Sequence, residues 1–253
     1  MRSGFWTLTG REFSAAWIKG VVCLAIALAT AISIPLLFDW LAGASLPGLP
    51  ATAERALAAQ VADYHLYLWA NWYGKNLLQF MLVFALIFGA PALAGEAASG
   101  SMGFTLSLPF ARRQVLGAKF LAGAIWLAMI ALISTLALPL TSDLVGKPVS
   151  LALLLRGLPG TLAGAFLAYA IAMALSAVTN DMVKAGVVAA GILVLLAVPG
   201  LIPGGSPYSF LTYMAAAGPL VPPSWVWWGT LAVSLAIMPV YLLARWLFLR
   251  RDY

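Results

Sequence analysis

Residues 75–96 read KNLLQFMLVFALIFGAPALAGE, a lysine and a glutamate enclosing 20 uncharged residues. A helix needs about 20 apolar residues to cross the hydrocarbon core of a bilayer. The interval recurs along the chain. Lys19 to Asp39 encloses 19 uncharged residues, Lys119 to Asp143 encloses 23 and Arg156 to Asp181 encloses 24. Lys184 to Arg245 encloses 60, interrupted by Pro199-Gly200, Pro203-Gly204-Gly205, Pro207, Gly218-Pro219 and Pro222-Pro223. Proline removes a backbone donor and clashes with the preceding turn, so this stretch divides into one helix on each side of the break. The expectation is an all-α integral membrane protein in which 1–253 form one transmembrane domain. Its six spans are placed near 20–38, 76–95, 116–140, 158–178, 185–202 and 226–248.

Composition agrees. Apolar and aromatic residues make up 63% of the 253 residues and charged ones 9%, where a soluble domain is about a quarter charged. An ordinary cytosolic enzyme and a disordered chain are both excluded. Cys23, the single cysteine, excludes an internal disulfide.

Six spans put both termini on one side. If that side is the cytoplasm, the inner segments carry Arg2, Arg11, Lys19, Arg112, Arg113, Lys119, Lys184, Arg245, Arg250 and Arg251, while the outer loops carry only Arg55, Lys75, Lys147 and Arg156. This is the positive-inside pattern. The acids divide evenly, so the net charge of +6 lies on the inner face. There it meets anionic headgroups or an acidic partner, and membrane anchoring accounts for it better than nucleic acid.

Residues 1–19 form either a helix lying in the inner interface or an extended lead-in to the first span. In the helical reading Trp6, Phe13 and Trp17 share one face, with Arg11 opposite and Leu8 on the polar side. In the first outer loop, Leu57, Val61, Tyr64 and Leu68 recur at helical spacing. Tyr67, Trp69, Trp72 and Tyr73 then suit the outer headgroup level. His65 reads as an interfacial polar residue. Residues 203–225 form either a short re-entrant segment or a plain outer loop. On the fourth span Gly160, Gly164, Ala168, Ala172 and Ser176 recur every four residues, a stripe of small side chains that lets a neighbouring helix come close.

The common intramembrane chemistries lack their residues. A serine protease has no buried base, since His65 is the only histidine and lies on an outer loop. No carboxylate falls in mid-span to serve an aspartyl protease or a proton relay. The chain has one Cys and one His and no Met cluster to carry a metal. There is no phosphate-cradling G-x-x-x-x-G-K-[ST] loop. The expected chain is not an enzyme and holds no metal or cofactor of its own.

The most informative connection is 95–114, GEAASGSMGFTLSLPFARRQ, between the second and third spans. It joins an acid at the membrane boundary, a Gly-flexed turn, exposed Met, Phe and Leu, a proline and a basic pair. Apolar groups on a loop need a partner to bury them, and a short amphipathic helix seated in a groove of a soluble protein would do so. The stretch resembles the membrane subunits of ABC-2 type transporters, the exporter class that includes the ABCG half-transporters. Glu96, Gly100, Ser107-Leu108-Pro109, Arg112-Arg113 and Gly117-Ala118-Lys119 match that family's pattern in order. Arg11-Glu12 in the lead-in, the six spans and the broken segment before the last span match as well. Ser101 stands where many relatives carry Thr.

The resemblance implies a permease in a bacterial cytoplasmic (inner) membrane. It would work as a dimer, of two copies or two related chains, with two separate ABC ATPase subunits that bind ATP and Mg. Residues 96–114 would be the coupling segment. Phe104, Leu106 and Leu108 would dock in the ATPase groove, Arg112 and Arg113 would meet acids at its rim, and Glu96 would anchor the segment to the bundle, with Gly100, Pro109 and Lys119 belonging to the same coupling set. Snorkelling of the arginines to phospholipid, and a solvated helix end at Glu96, are the alternatives. The N-terminal helix, with Trp6, Arg11, Glu12, Phe13 and Trp17, would also touch the ATPase. Asn76, Gln79 and Phe80 are candidates for the outer part of the translocation path, with lipid-facing or intra-bundle packing as the alternative. The substrate would be a hydrophobic or amphipathic drug, peptide antibiotic or lipid-linked compound. Two other readings are a membrane subunit serving maturation of a periplasmic protein and a lone channel or structural membrane protein.

Overall fold

The computed structural model describes residues 2–43, 51–107, 109–215 and 223–251. The described residues form helices and turns, with no strand among them. In chain order the helices are α1 (Arg2–Ala15), α2 (Trp17–Gly43), α3 (Ala51–Val61), α4 (Tyr64–Ala98), α5 (Met102–Ser107), α6 (Arg112–Leu144), α7 (Leu151–Ser176), α8 (Met182–Leu201), α9 (Phe210–Met214) and α10 (Pro223–Arg250). Six of them, α2, α4, α6, α7, α8 and α10, are long and apolar enough to cross a membrane.

All six begin before the expected limits, and α2, α4, α6 and α10 also end beyond them, because a charge ends the apolar zone without ending the backbone hydrogen bonding. By contrast α7 and α8 stop at Ser176 and Leu201, just short of the expected 178 and 202. Side-chain caps set two of the starts. Asp63 opens α4 by accepting from the amides of His65 at 2.8 Å and Leu66 at 3.4 Å, and Asp181 opens α8 by accepting from Val183 at 2.8 Å and Lys184 at 3.2 Å. The second span therefore begins at Tyr64 and passes Lys75 through a π-helical turn, Trp72–Asn76. Such a turn inserts one extra residue into the ladder.

The aromatic run on α4 packs into the bundle, with Trp69 half-buried. Tyr67, Trp72 and Tyr73 are buried. The Tyr67 hydroxyl donates to the Ile34 carbonyl at 3.0 Å, the Trp72 indole donates to Thr135 Oγ1 at 3.0 Å, and the Tyr73 hydroxyl donates to the Leu154 carbonyl. A buried hydroxyl or indole N–H needs such a partner. These bonds tie the upper half of α4 to α2, α6 and α7. Lys147 adds an ion pair with Asp39 and sits 4.8 Å from the Phe38 ring centre. His65 is exposed at the start of α4.

Helix α7 is the axis of the bundle, packed against α4, α6, α8, α9 and α10, whereas α8 and α10 are the most exposed spans. Its small-residue stripe is buried along its whole length. Gly160 faces the backbone carbonyl of Tyr213, Gly164 the Met214 side chain, and Ala172 the glycine at position 89 on α4. Ser176 does more than stay small. Its Oγ accepts from the amides of Leu93 at 3.0 Å and Ala94 at 2.8 Å and donates to the Ala90 carbonyl at 2.7 Å. The α4 backbone restarts at Pro91 with no side-chain cap of its own, so a serine from another helix caps it. On the opposite side of α7 Tyr169 and Met173 are buried too, while Leu162 and Phe166 are half-buried.

Between the last two spans, α9 folds back onto α7. The Thr161 hydroxyl donates to the Met214 carbonyl at 2.6 Å, and the Tyr213 hydroxyl donates to the Pro207 carbonyl at 2.6 Å. Burial pushes the Tyr213 phenol above its ordinary pKa. Residues 216–222 of the expected 203–225 segment lie outside the described residues.

A Cβ at position 160 would run into a main-chain oxygen that cannot swing aside, whereas one at position 191 meets nothing within 4 Å. Gly160→Ala is expected to destabilise the bundle by about 1–3 kcal/mol through overpacking. Gly191→Ala on α8 should be neutral or slightly stabilising, since alanine is the better helix former by about 1 kcal/mol. Thermal melting of the two detergent-purified variants, read as loss of the monodisperse peak, checks the contrast.

Candidate functional site

At the end of the bundle where α4 finishes and α6 begins, three charged side chains meet. The Lys119 ammonium forms ion pairs with Glu12 Oε2 at 2.8 Å and with Glu96 Oε1. Lys119 is 6% exposed, which makes it a buried cation in the first turns of a spanning helix. Its partners arrive from two directions, Glu12 from α1 and Glu96 from the last turn of α4. Each carboxylate alone would leave a poorly solvated ammonium; together they surround it, which is the condition under which a buried charge is tolerated. The Tyr169 hydroxyl of α7 donates to the Lys119 carbonyl at 2.9 Å and packs against the glycine at position 123.

Helix α1 is placed by this charge cluster and by apolar contacts with α6. Leu8, expected on the polar side, is buried in a small cluster with Val115 and Ala118. Phe13 turns inward and stacks on Trp126, 4.6 Å between ring centres, while the Trp126 indole donates to the Phe13 carbonyl at 3.0 Å. Trp6 and Trp17 remain outside, 63% and 57% exposed, and Arg11 is exposed. The expected face of Trp6, Phe13 and Trp17 is therefore divided. A period of 3.6 residues describes a helix between two environments, whereas α1 meets solvent-facing, protein-facing and charge-cluster surroundings.

From Glu96 the chain leaves α4 through a turn at Gly100, whose φ of +73° is the left-handed region that favours glycine. It then forms α5. Met102 and Thr105 are buried, Leu106 is half-buried and Phe104 is 65% exposed. The short helix thus holds to the bundle by one side and presents Phe104 outward. Leu108 lies outside the described residues, and Pro109 and Arg113 are exposed. Arg112 is engaged within the chain: its Nη1 donates to the Arg251 carbonyl at 2.7 Å. Arg251 in turn donates to the Ala177 carbonyl at 3.0 Å and to Asn180 Oδ1. The end of α10 is thereby tied to the start of α6 and the turn between α7 and α8.

The other candidates stay apart from this site. Asn76 is half-buried and donates across the π-helical turn to the Asn71 carbonyl at 2.7 Å. Gln79 is exposed, and Phe80 stacks on Phe84 with 5.6 Å between ring centres. Sequence reasoning missed Tyr169, Trp126 and Arg251. A tyrosine in an otherwise apolar span was the one available signal, because its hydroxyl demands a partner. Among the described residues no group of three or more His, Cys, Asp or Glu side chains could hold a metal ion.

The family model for ABC-2 family transporter proteins matches residues 50–219, about two thirds of the chain. The protein belongs to that family. No curated protein matches the sequence. The match takes in α3 through α9, and with them Glu96, the Gly100 turn, α5 and Lys119. The protein is thus an integral membrane protein of the ABC-2 class, whose members are generally non-catalytic permease subunits that partner an ATPase.

Removing one member of a buried ion cluster leaves uncompensated charge, at a cost of about 3–5 kcal/mol. Lys119→Met is expected to destabilise the protein by that order, because two carboxylates then face each other with no cation. Adding Glu12→Gln and Glu96→Gln should restore most of the loss. Thermal unfolding of the single and triple variants in detergent decides it.

Proposed function

We propose that this chain is the permease subunit of an ATP-driven exporter, with α5 as the element through which a separate ATPase acts on it. The observation that carries the reading is the pairing of a fixed base with an exposed tip. The Glu12–Lys119–Glu96 cluster locks the foot of α4 to α1 and α6, and a few residues further on α5 presents Phe104 to a partner. An exposed aromatic on a short helix fits a groove of a soluble protein. The rigid cluster beneath it lets a push on that helix reach the spanning helices instead of bending the loop.

In this reading both termini and α5 face the cytoplasm of a bacterial cell, and the outward-turned Trp6 and Trp17 of 1–19 lie at the inner headgroup level. Two ATPase subunits, which bind ATP and Mg, engage a dimer of permease protomers. Closing of the ATPase dimer on ATP moves the α5 helices, and the cavity between protomers changes from inward-facing to outward-facing. ATP binds only the partner, so the shift is limited by the difference in the partner's affinity for the two permease states. Arg113, exposed beside α5, meets acids at the groove rim, while Arg112 transmits to the α7–α8 turn through Arg251. Asn76, Gln79 and Phe80 lie on the outer half of the path. The substrate class is a hydrophobic or amphipathic compound, because the spans offer apolar surface and no ionisable residue at mid-depth.

Burying a phenylalanine contributes about 1.5–3 kcal/mol, a factor of roughly 10–100 in affinity. Phe104→Asp should therefore lower copurification of the ATPase by at least about tenfold, while the permease stays inserted and monodisperse because Phe104 is mostly exposed. Unchanged copurification and unchanged ATP turnover in that variant would sink the assignment of α5.

A further inference from the structure

A cavity of about 340 Å³ opens beside the charge cluster, between α1, α2, α4, α6, α7 and the first residue of α8. That size lies within the usual range for small-molecule sites. Its charges are arranged in depth. Inside are Glu12, Glu96 and Lys119, two negative charges around one positive. Glu96 Oε2 is shut off from solvent and makes no hydrogen bond with a protein group. At the rim is Lys19, exposed and without an ion-pair partner among the described residues. Phe88, Pro91, Ala92 and Met182 supply an apolar wall. Trp17, two residues from Lys19, is exposed at the same level, as an aromatic residue at a headgroup boundary would be.

We propose that this cavity is a headgroup site for a zwitterionic lipid that carries a primary ammonium, such as phosphatidylethanolamine. The ammonium enters toward the carboxylates, where a small rotation of Glu96 gives Oε2 the donor it lacks, and the phosphate meets Lys19 at the rim. The acyl chains leave along the apolar wall into the bilayer. Charge selects this class. An anionic lipid brings no cation to the net negative interior, and a simple amphipathic cation leaves Lys19 unanswered. A choline headgroup has the right charges but no N–H to donate to Glu96. The site goes beyond the exporter reading and needs no ATPase.

The test uses the full chain purified alone in detergent, so a failure here is distinguishable from a failure of ATPase coupling. Native mass spectrometry compares retention of phosphatidylethanolamine, phosphatidylcholine and phosphatidylglycerol with identical chains. Retention of the ethanolamine lipid should exceed the other two by about tenfold or more. Lys19→Glu, at an exposed position, and Met182→Trp, which narrows the mouth, should each remove that preference while leaving the melting temperature unchanged. Equal retention of the three lipids, or an ethanolamine preference that survives both variants, would overturn the proposal. A parallel arm offers free O-phosphoethanolamine. Binding of that compound without lipid preference would show a soluble phosphoamine site and would equally overturn the lipid assignment.

Discussion

A single ammonium held inside a low-dielectric bundle is a demanding constraint, and much of this molecule is arranged around it. Lys119 sits on the first turns of α6 and is almost wholly withdrawn from solvent. It requires carboxylates, and the two that serve it come from segments more than 80 residues apart in sequence, Glu12 and Glu96. Meeting that requirement brings α1 against α6 and holds the foot of α4 in place. The cluster contributes position more than net stability, since the desolvation of three charges offsets most of their attraction. Its value lies in geometry: the Gly100 turn and α5 start from a point that is fixed in three dimensions.

The second constraint is steric and belongs to α7. With no water between helices to drive association, spans hold together by close packing and by hydrogen bonds. The glycines at 160 and 164 let α9 lie directly on α7, and Ala172 lets α4 approach. Ser176 then closes the contact by capping the helical segment that carries Glu96. The charge cluster and the packing stripe therefore act on the same few turns of α4, one through Lys119 and the other through Ser176. Those turns of α4 are thus held from two sides, by α1 and α6 through the ion pairs and by α7 through the serine.

Much of this was legible from residue order. The six spans followed from charge spacing, and the stripe on α7 from its four-residue repeat, because both are one-dimensional properties of a helix in lipid. The family pattern from Glu96 to Lys119 was legible as well, since its residues are close in sequence. The aromatic run of α4 was not. Tyr67, Trp72 and Tyr73 have the composition of a headgroup belt, and only their reach to Ile34, Thr135 and Leu154 reveals them as core. Leu8 and Phe13 were similarly opaque, because the partner surface of α1 is contributed by α6, about a hundred residues away.

Sequence alone determined that this chain belongs in a bilayer and that six of its segments are long and apolar enough to cross one. Those properties depend on transfer of individual segments from water to hydrocarbon, which each segment settles for itself. Tertiary structure decided which charges meet, which helix caps another, and where a cavity with a negative interior and a positive rim opens. Those depend on distances between atoms remote in the chain, and a distance of that kind exists only once the helices have packed.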